Sequence, residues 1–350
     1  MFITVRGIPS RRWKLCNTYG IRIILEIKEF TAHNIISSKP KTRHGSESNV
    51  SENSCYAMPL VSVIIPTFNR AHIIERAIMS VLQQSFTDWE CLIVDDHSTD
   101  NTKELIQNYH LQDSRIKYLI NERTKGAPGA RNTGMLHAKG DWIFFFDSDN
   151  VMKPLLLERL ISKTNENADV ITCWSNIIDS QTNNRVGLFN WVSDGNIHSA
   201  LLQGKTYVDT NAALIRKKCL EQINGWSEDC PSFQEWDLHI RLSQCSSYTT
   251  IREPLVDYYV NGTDTISKNR KREIDGYLYI LSKYHNEWKS YPEHYLQYGE
   301  RVLTILYSNN NKHQIKKLLQ LIPQLRIFYF KQRLHSFFHS TIKHLLCLNK

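Results

Sequence analysis

The sequence predicts an α/β domain built around a central, mostly parallel β-sheet and followed by a basic helical region. Between residues 61 and 146, short runs of β-branched and aromatic residues alternate with segments whose apolar residues recur at helical spacing. The predicted strands are apolar over most of their length, as expected for strands that helices cover on both faces. This alternation is typical of an α/β fold.

The first half of the domain is predicted to contain four strands and three helices. Apolar runs predict strands at residues 61–65, 91–94, 116–120 and 142–146. Helical spacing predicts helices at residues 73–82 and 102–109, and a glycine-bearing turn at 126–134 leads into a third helix. Ligands bind at the carboxyl ends of strands in such sheets, so we expect the functional site in the loops after these strands.

The pattern is less regular after residue 150. It predicts helices at 153–164, 217–223 and 234–243, and strands at 169–174 and 211–215. Residues 179–206 are polar and irregular, and a loop of this length often serves as a lid. From about residue 272 to the end the pattern is helical and basic.

Charge is distributed unevenly over the 350 residues, whose formal net charge is +8. Residues 1–58 carry nine Lys and Arg against four Asp and Glu, and residues 268–350 carry fifteen against five. Residues 59–267 carry nineteen against twenty-six. We therefore expect three parts. Residues 1–58 form a basic extension and linker, residues 59–267 form an acidic domain that carries the catalytic residues, and residues 268–350 form a basic helical region. A nucleic-acid enzyme would place positive charge around its site, so we expect no nucleic-acid partner.

The sequence also carries signals about location. Arg6, Arg11, Arg12 and Lys14 interrupt the N-terminus before any apolar segment typical of a secretory signal can form. No apolar stretch is long enough to span a bilayer. The eight cysteines form no C-x-x-C pair, which favours free thiols in a reducing compartment. We therefore expect a cytoplasmic protein.

The predicted strand at 142–146 ends in Asp147-Ser148-Asp149. Burying carboxylates at the end of an apolar strand is costly unless a cation compensates them. A divalent ion with oxygen ligands would do so, and it would in turn hold an anionic group such as a phosphate. The alternative is an ordinary acidic turn, because Asp and Ser are common turn residues.

Two earlier loops carry polar residues that suit nucleotide binding. The loop Pro66-Thr67-Phe68-Asn69-Arg70 turns sharply into a helix whose first N–H groups could hold an anion. Thr67 and Asn69 add neutral hydrogen-bonding groups, and a helix cap at Asn69 is the alternative. In the next loop, Asp96 and its neighbour Asp95 could accept hydrogen bonds from a nucleobase and from ribose hydroxyls.

The two later loops carry charged residues that could act on a substrate. Arg131, at a helix start, could face a nucleotide or pair with an acidic loop. Asp237 and Arg241 are four residues apart on a predicted helix and could pair with each other. Glu235 is then the unpaired carboxylate and the better candidate for a general base, with Asp237 as the alternative.

In this order, the loops resemble the family 2 glycosyltransferases, which are inverting enzymes of the GT-A fold. The matching stretches are VSVIIPTFNR, VDDHSTDNT, GAPGARNTGM, FFFDSDN and NGWSEDCPSFQEWDLHIRL, and they cover roughly residues 59–267. Each motif alone is weak, but the ordered set is specific. The resemblance implies transfer of a hexose or N-acetylhexosamine from a nucleotide sugar, with UDP as the expected nucleotide.

The resemblance also implies roles for single residues. The residues expected at the donor nucleotide and sugar are Thr67, Asn69, Arg70, Asp96, Arg131 and Asp147. Asp149 is expected to bind Mg²⁺ or Mn²⁺, with Asp147 as a further candidate ligand. Glu235 takes the place of the catalytic base, which in the family is usually an Asp preceded by Glu, whereas here the pair is Gln-Glu.

The implied reaction is a single displacement that inverts the anomeric carbon. The metal ion acts as a Lewis acid for the departing diphosphate, and Glu235 removes the proton of an acceptor hydroxyl. Water has to be excluded, and the 179–206 loop could form a lid with Trp191 stacked on the sugar. An ordinary hydrophobic anchor is the alternative for Trp191.

The C-terminal segment predicts a contact with a membrane. No acidic residue follows Glu300, and six apolar residues recur at helical spacing, namely Leu334, Phe337, Phe338, Ile342, Leu345 and Leu346. Such a basic amphipathic helix could lie on an anionic membrane, which would suit a glycan or lipid-linked acceptor on the cytoplasmic face. The alternative is a helix packed on the catalytic domain or on a second subunit.

Two other functions are compatible with parts of this pattern. A nucleotidyltransferase could share the sheet, the nucleotide and the acidic metal site, but it has no obvious use for Glu235. An inactive sugar-nucleotide-binding or membrane scaffold protein would need neither Asp149 nor Glu235, so the presence of both carboxylates argues against it.

Overall fold

The structure is a computed structural model of the chain, and it describes residues 60–164, 167–260, 270–309 and 311–332. The predictions for the 1–58 extension and for the amphipathic helix around 334–346 lie outside these residues. Within them, none of the helices combines the length and apolar character needed to cross a bilayer.

A sheet of nine strands lies at the centre of the described residues. The strands are β1 (Val61–Thr67), β2 (Trp89–Asp95), β3 (Ile116–Ile120), β4 (Trp142–Phe145), β5 (Val151–Met152), β6 (Val170–Asp179), β7 (Arg185–Phe189), β8 (Ala213–Arg216) and β9 (Tyr248–Val260). The helices are α1 (Ile74–Leu82), α2 (Thr102–Gln112), α3 (Ala127–His137), α4 (Leu156–Ile161), α5 (His198–Leu202), α6 (Lys217–Gln222), α7 (Gln234–Leu242), α8 (Arg270–Lys283), α9 (His285–Trp288), α10 (Pro292–Ser308) and α11 (Lys312–Leu321).

The predicted parallel half of the sheet is confirmed. The strand order is β3-β2-β1-β4-β8-β6-β9-β5, and β7 pairs with β6 outside this path. The neighbours from β3 to β4 are all parallel, and α1, α2 and α3 connect them. Since every residue of β1 and β2 is buried, these strands are apolar over most of their length rather than alternating. Beyond β4 the sheet is mixed, because β8 runs antiparallel to β4 and β6.

In the second half of the sheet, one prediction was wrong and one strand was missed. Residues 179–206 do not form one long loop, because β7 makes a hairpin with β6 and α5 buries Leu201 and Leu202. The long strand β9 was not predicted, since Arg252, Glu253 and Pro254 interrupt its apolar pattern. The pairing of β9 with β6 shifts at this point, where Cys173 pairs with Ile251 and Trp174 already pairs with Pro254.

The predicted helical region after residue 268 is confirmed for the described residues and shares a hydrophobic cluster with the sheet. The Trp236 ring of α7 lies 6.3 Å from the Trp288 ring and 5.3 Å from the Tyr298 ring, measured between centroids. Aromatic residues contribute strongly to core stability through their large buried area. Helices α8 to α11 therefore hold α7, which carries the candidate base, against the sheet.

Candidate active site

The loops at the carboxyl edge of the sheet are joined by hydrogen bonds. Asn69 Oδ1 accepts from the backbone N–H of Thr99 at 2.8 Å, which links the loop after β1 to the loop after β2. Asp96 Oδ2 accepts from the backbone N–H of Gly126 at 2.8 Å, which links the loop after β2 to the start of α3. The predicted convergence of these loops is confirmed.

The loop after β1 presents two groups to the edge of the sheet. The Oγ1 atom of Thr67 is buried and has no hydrogen-bond partner among the described residues. The Phe68 ring is 43% exposed, with Lys125 Nζ 5.0 Å from its centroid. Asn69 is not a helix cap, because α1 begins only at Ile74 and the Asn69 side chain binds the neighbouring loop instead. This loop therefore combines a free hydroxyl with an exposed aromatic face.

Asp147 is held from two sides. Its Oδ1 atom accepts from Nη2 of Arg131 at 2.7 Å, and its Oδ2 atom accepts from Nδ2 of Asn211 at 2.9 Å. Asn211 also accepts from the backbone N–H of Asp147 at 2.7 Å. Arg131 is buried against the Trp226 ring, 4.4 Å from its centroid, and its Nε and Nη1 atoms have no partner among the described residues. The guanidinium thus keeps unused hydrogen-bonding capacity beside a fixed carboxylate.

Asp149 differs from Asp147 because no described side chain is seen to donate to its carboxylate. Burial, together with the negative charge of Asp147, raises the pKa of Asp149 to about 6. The positive charges of Arg70 and Arg76 oppose this shift. Nη2 of Arg76 also donates to the backbone oxygen of Asp149. An additional cation would stabilise the ionised form of this carboxylate.

A third carboxylate, Asp209, lies behind Asp147. Burial raises the pKa of Asp209 to about 6, although hydrogen bonds from Asn211 and Ser175 favour its ionised form. Nδ2 of Asn211 donates to Asp209 at 3.1 Å as well as to Asp147. One amide group therefore bridges two acidic side chains at the site.

Glu235 stands in the first turn of α7, where its side chain is half-buried. Burial raises the pKa of Glu235, while the positive charge of Arg131 opposes the shift and the charge of Asp147 adds to it. These influences place Glu235 close to the Arg131–Asp147 pair. No hydrogen bond to its carboxylate from another described side chain is present. A carboxylate with a raised pKa and no side-chain hydrogen-bond partner is suited to take up a proton.

Asp237, the alternative base, is fully buried and has four partners. Its Oδ2 atom accepts from Ser227 at 2.7 Å and from Arg241 at 3.0 Å. Its Oδ1 atom accepts from Lys283 and from Tyr284, both at 2.6 Å. Burial alone would raise the pKa of Asp237, but these partners hold it below its ordinary value. Asp237 therefore connects α7 to α8 and has no free lone pair directed at a cleft.

The Asp149 carboxylate suits a divalent ion that has only part of its ligands from the protein. Among the described residues, no three His, Cys, Asp or Glu side chains lie close enough together to share an ion. Mg²⁺ is usually bound by one or two carboxylates together with substrate phosphates and water, and needs no such cage. Asp149 offers one carboxylate whose ionisation is unfavourable without a cation, so the site fits a divalent ion of this kind.

The sequence pattern did not reveal three residues that shape this site. Asn211 and Asp209 lie in a polar segment before β8 that carries no recognisable motif, and Arg76 lies in the middle of α1. Their positions depend on contacts across 34 to 73 residues of chain. The only local signal for these residues was the spacing of Asp209 and Asn211. It allows the Asp209 carboxylate to cap a short 3₁₀ turn.

Comparison with known proteins identifies the family of the segment that carries the first loops of this site. Residues 62–223 match the family model described as "Glycosyl transferase family 2". This segment is a family 2 glycosyltransferase domain. The family 2 domain contains the loops after β1, β2 and β4, and α7 with Glu235 follows it in the chain.

Curated relatives match parts of the chain. One is a "GalNAc(5)-diNAcBac-PP-undecaprenol beta-1,3-glucosyltransferase" of Campylobacter jejuni, 43% identical over 31% of this chain and 36% of the relative. Another is a "UDP-Glc:alpha-D-GlcNAc-diphosphoundecaprenol beta-1,3-glucosyltransferase" of Escherichia coli, 42% identical over 37% of this chain and 50% of the relative. The chain spans half or less of the length of these two relatives.

Solved structures share the GT-A fold of the family 2 domain. The TarS fragment 1–349 of S. aureus, in complex with UDP-GlcNAc, has a TM-score of 0.53 at 16% identity, over 70% of this chain and 81% of that chain. A mannosyltransferase of Pyrobaculum calidifontis, in complex with GDP-Man and Mn²⁺, has a TM-score of 0.50 at 15% identity, over 78% of this chain and 76% of that chain. At these identities the likeness concerns the fold alone.

Proposed function

We propose that the chain is an inverting, metal-dependent glycosyltransferase that moves a sugar from a UDP-sugar to a hydroxyl of a glycan or lipid-linked acceptor. The observation that carries this proposal is that two carboxylates without a side-chain hydrogen-bond partner, Asp149 and Glu235, have raised pKa values and both lie near enough to Asp147 to feel its charge. A site with one acidic group for a cation and another for a proton suits this reaction. The Escherichia coli relative is named for a UDP-Glc donor, and both curated relatives are named for an acceptor linked to undecaprenol through a diphosphate, which supports the proposed donor and acceptor.

We assign the donor nucleotide to the loops after β1 and β2. The exposed Phe68 ring can stack on a nucleobase, and the free hydroxyl of Thr67 can bind the nucleotide. Asp96 already accepts from Asn121 and Gly126, but each of its oxygens retains a second lone pair for a uracil N–H. Asn69 supports the site by holding the loops together rather than by a direct contact.

We assign the sugar and the diphosphate to the region between Asp147, Asp149 and Arg131. The two unpaired guanidinium nitrogens of Arg131 suit an anionic or hydroxyl-rich ligand. Asp149 would hold Mg²⁺ or Mn²⁺, which as a Lewis acid would compensate the charge that develops on the departing diphosphate. Arg70 and Arg76 add fixed positive charge to the same region.

Glu235 acts on the acceptor in the proposed reaction. Its carboxylate removes the proton of an acceptor hydroxyl while the hydroxyl oxygen forms a bond to the anomeric carbon. The bond from that carbon to the phosphate oxygen breaks on the opposite face, UDP leaves, and the anomeric configuration is inverted. The raised pKa brings Glu235 nearer to neutral pH, where a general base is most effective.

The proposed reaction is tested by its products. The purified chain is incubated with Mn²⁺, UDP-glucose or UDP-N-acetylglucosamine, and an undecaprenyl-diphosphate-linked sugar. Glycosyl transfer releases UDP and lengthens the lipid-linked sugar. A parallel incubation with UTP and a sugar 1-phosphate tests the alternative, because a nucleotidyltransferase would release pyrophosphate there and no UDP from the donor. Product formation at the cytoplasmic face of a membrane is the expected cellular setting.

We further predict that Asn211 is required to position Asp147. Asn211→Ala removes an acceptor for the Asp147 N–H and a donor shared by two carboxylates, so Asp147 and Asp209 would repel each other without a bridge. Leaving such groups unpaired costs about 1–3 kcal/mol, which corresponds to a loss of roughly 5- to 150-fold in kcat/KM. Steady-state kinetics with varied donor measure this loss. The exposed Asn286→Ala is the matched control, and a variant Asn211→Ala with unchanged kcat/KM would contradict the role.

A further inference from the structure

The last two described helical segments enclose a surface groove of about 320 Å³. We call it the basic groove, and six of its lining residues carry the argument, namely Lys312, Ile315, Lys316, Leu319, Arg326 and Tyr329. The first four lie on one face of α11, and the last two lie on the helical segment 325–332. The groove thus has three cationic side chains on an apolar floor.

The cations of the basic groove have no protein partner in the part of the chain that the structure describes. The side chains of Lys312, Lys316 and Arg326 belong to exposed residues and make no ion pair or hydrogen bond there. By contrast, Arg131, Arg241 and Lys283 each pair with a carboxylate. No Asp or Glu occurs anywhere after Glu300, so the segment that forms the groove offers these cations no acidic neighbour.

Two large apolar side chains are exposed beside the basic groove. Ile327 is 69% exposed and Phe330 is 62% exposed, and they lie one turn apart on the segment 325–332. Lys331 is exposed next to Phe330. Exposed aromatic and aliphatic residues flanked by Lys and Arg are typical of surfaces that enter the interface of an anionic membrane.

The framework of the basic groove packs on the hydrophobic core. Ile315 and Leu318 of α11 are buried, as are Ile322 in the connection and Leu325 at the start of the segment 325–332. These four residues belong to the same hydrophobic cluster as the sheet. Both walls of the groove are therefore anchored to this cluster by buried side chains.

We propose that the basic groove docks the protein on an anionic phospholipid surface, with a lipid phosphate bound between Lys312, Lys316 and Arg326 while Ile327 and Phe330 enter the headgroup region. Charge complementarity selects this partner, because three unpaired cations and a neighbouring apolar pair match a surface that is both anionic and amphipathic. The inference is independent of the proposed glycosyl transfer and differs from membrane contact by the helix predicted around 334–346.

The test is flotation of the full chain with lipid vesicles. One set of vesicles is pure phosphatidylcholine, and the other contains 30% phosphatidylglycerol. We expect binding to the second set only. The triple variant Lys312→Gln, Lys316→Gln, Arg326→Gln should bind about 100-fold more weakly, because each cation near an anionic surface contributes about fivefold. The double variant Ile327→Ser, Phe330→Ser should also bind more weakly, but with an unchanged dependence on salt.

The matched control removes the same net charge elsewhere. Lys205, Lys218 and Lys289 are exposed, so the triple variant of these residues to Gln should lose less than threefold. Equal losses in the two triple variants would show that only net charge matters and would overturn the proposal. Binding of inorganic phosphate without binding to anionic vesicles would also overturn it, since the groove would then be a site for a soluble anion.

Folding and catalysis are checked separately. The thermal unfolding midpoint and the release of UDP from the donor should be unchanged in the groove variants, since these residues lie outside the candidate active site. A chain that binds anionic vesicles through the groove but transfers no sugar would refute the proposed function alone. A chain that transfers sugar to a soluble acceptor but ignores vesicles would refute the docking surface alone.

Discussion

Replacing Glu235 with Gln is expected to lower the rate of glycosyl transfer by about 10³-fold while leaving the dissociation constant of the UDP-sugar within threefold. The amide has nearly the same shape but cannot take up the proton of the acceptor, and general-base catalysis typically contributes 10²- to 10⁴-fold. Donor binding should persist, because the residues assigned to the nucleotide lie on other loops. Steady-state transfer rates and calorimetric titration of the donor measure the two quantities.

Three further variants separate the catalytic role from a structural one. Glu235→Asp keeps a carboxylate, shorter by one methylene, and should retain measurable transfer. Glu221→Gln changes an exposed carboxylate and should have no effect. Asp237→Asn leaves Arg241 and Lys283 without their buried counter-charge, so we expect the free energy of unfolding to fall by about 3 kcal/mol. Normal transfer by Glu235→Gln would show that the base lies elsewhere.

Replacing Asp149 with Asn is expected to abolish the stimulation of transfer by Mn²⁺. The amide is a weaker ligand for a hard cation and carries no charge. We expect transfer at saturating Mn²⁺ to fall by at least about 10²-fold, since one Lewis-acid contribution amounts to several kcal/mol. Ser148→Ala is the control within the same motif. Metal titration of the transfer rate gives the result, and an unchanged metal dependence would contradict the assignment of Asp149.

Asp149→Asn should stabilise the folded protein in the absence of metal, although it lowers activity. The pKa of Asp149 in the folded protein, about 6, is above that of an unfolded Asp, so its ionisation destabilises the folded state above about pH 4. Without metal at pH 7.5, Asp149→Asn should therefore raise the unfolding midpoint by a few degrees, and the gain should vanish towards pH 4. In the unaltered protein, binding of Mn²⁺ should weaken below about pH 6, where Asp149 takes up a proton.

The sequence allowed accurate prediction where the signal is local. Strands β1, β2 and β4 were predicted because both of their faces are buried, so their apolar runs are continuous. Strand β3 lies at the edge of the sheet and is only partly buried, and its β-branched and aromatic residues predicted it. The polar residues at the carboxyl ends of these strands could be located from the points at which the apolar runs stop. Strand β9 was not predicted, because its pairing with β6 is 78 residues distant and its bulge interrupts the pattern. Tertiary pairing determines such a strand more than its composition does.

In the candidate site, too, some residues could be predicted from local motifs and others only from contacts between distant parts of the chain. Asp147, Asp149 and Glu235 could be proposed from motifs, and the i, i+4 spacing of Asp237 and Arg241 correctly predicted their ion pair. The partners Lys283 and Tyr284, which occupy the other oxygen of Asp237, are 46 and 47 residues away in the chain. Only the packing of α8 on α7 brings them together. The role of Asn211 likewise depends on a contact over 64 residues.

The most direct test of the central claim is calorimetric titration of the chain with a panel of sugar nucleotides in the presence and absence of Mn²⁺. We predict that a UDP-sugar binds, that Mn²⁺ strengthens its binding at least tenfold, and that Asp149→Asn removes this gain while Glu235→Gln does not. The account would be contradicted if no sugar nucleotide bound, or if binding were indifferent to both Mn²⁺ and the substitution of Asp149.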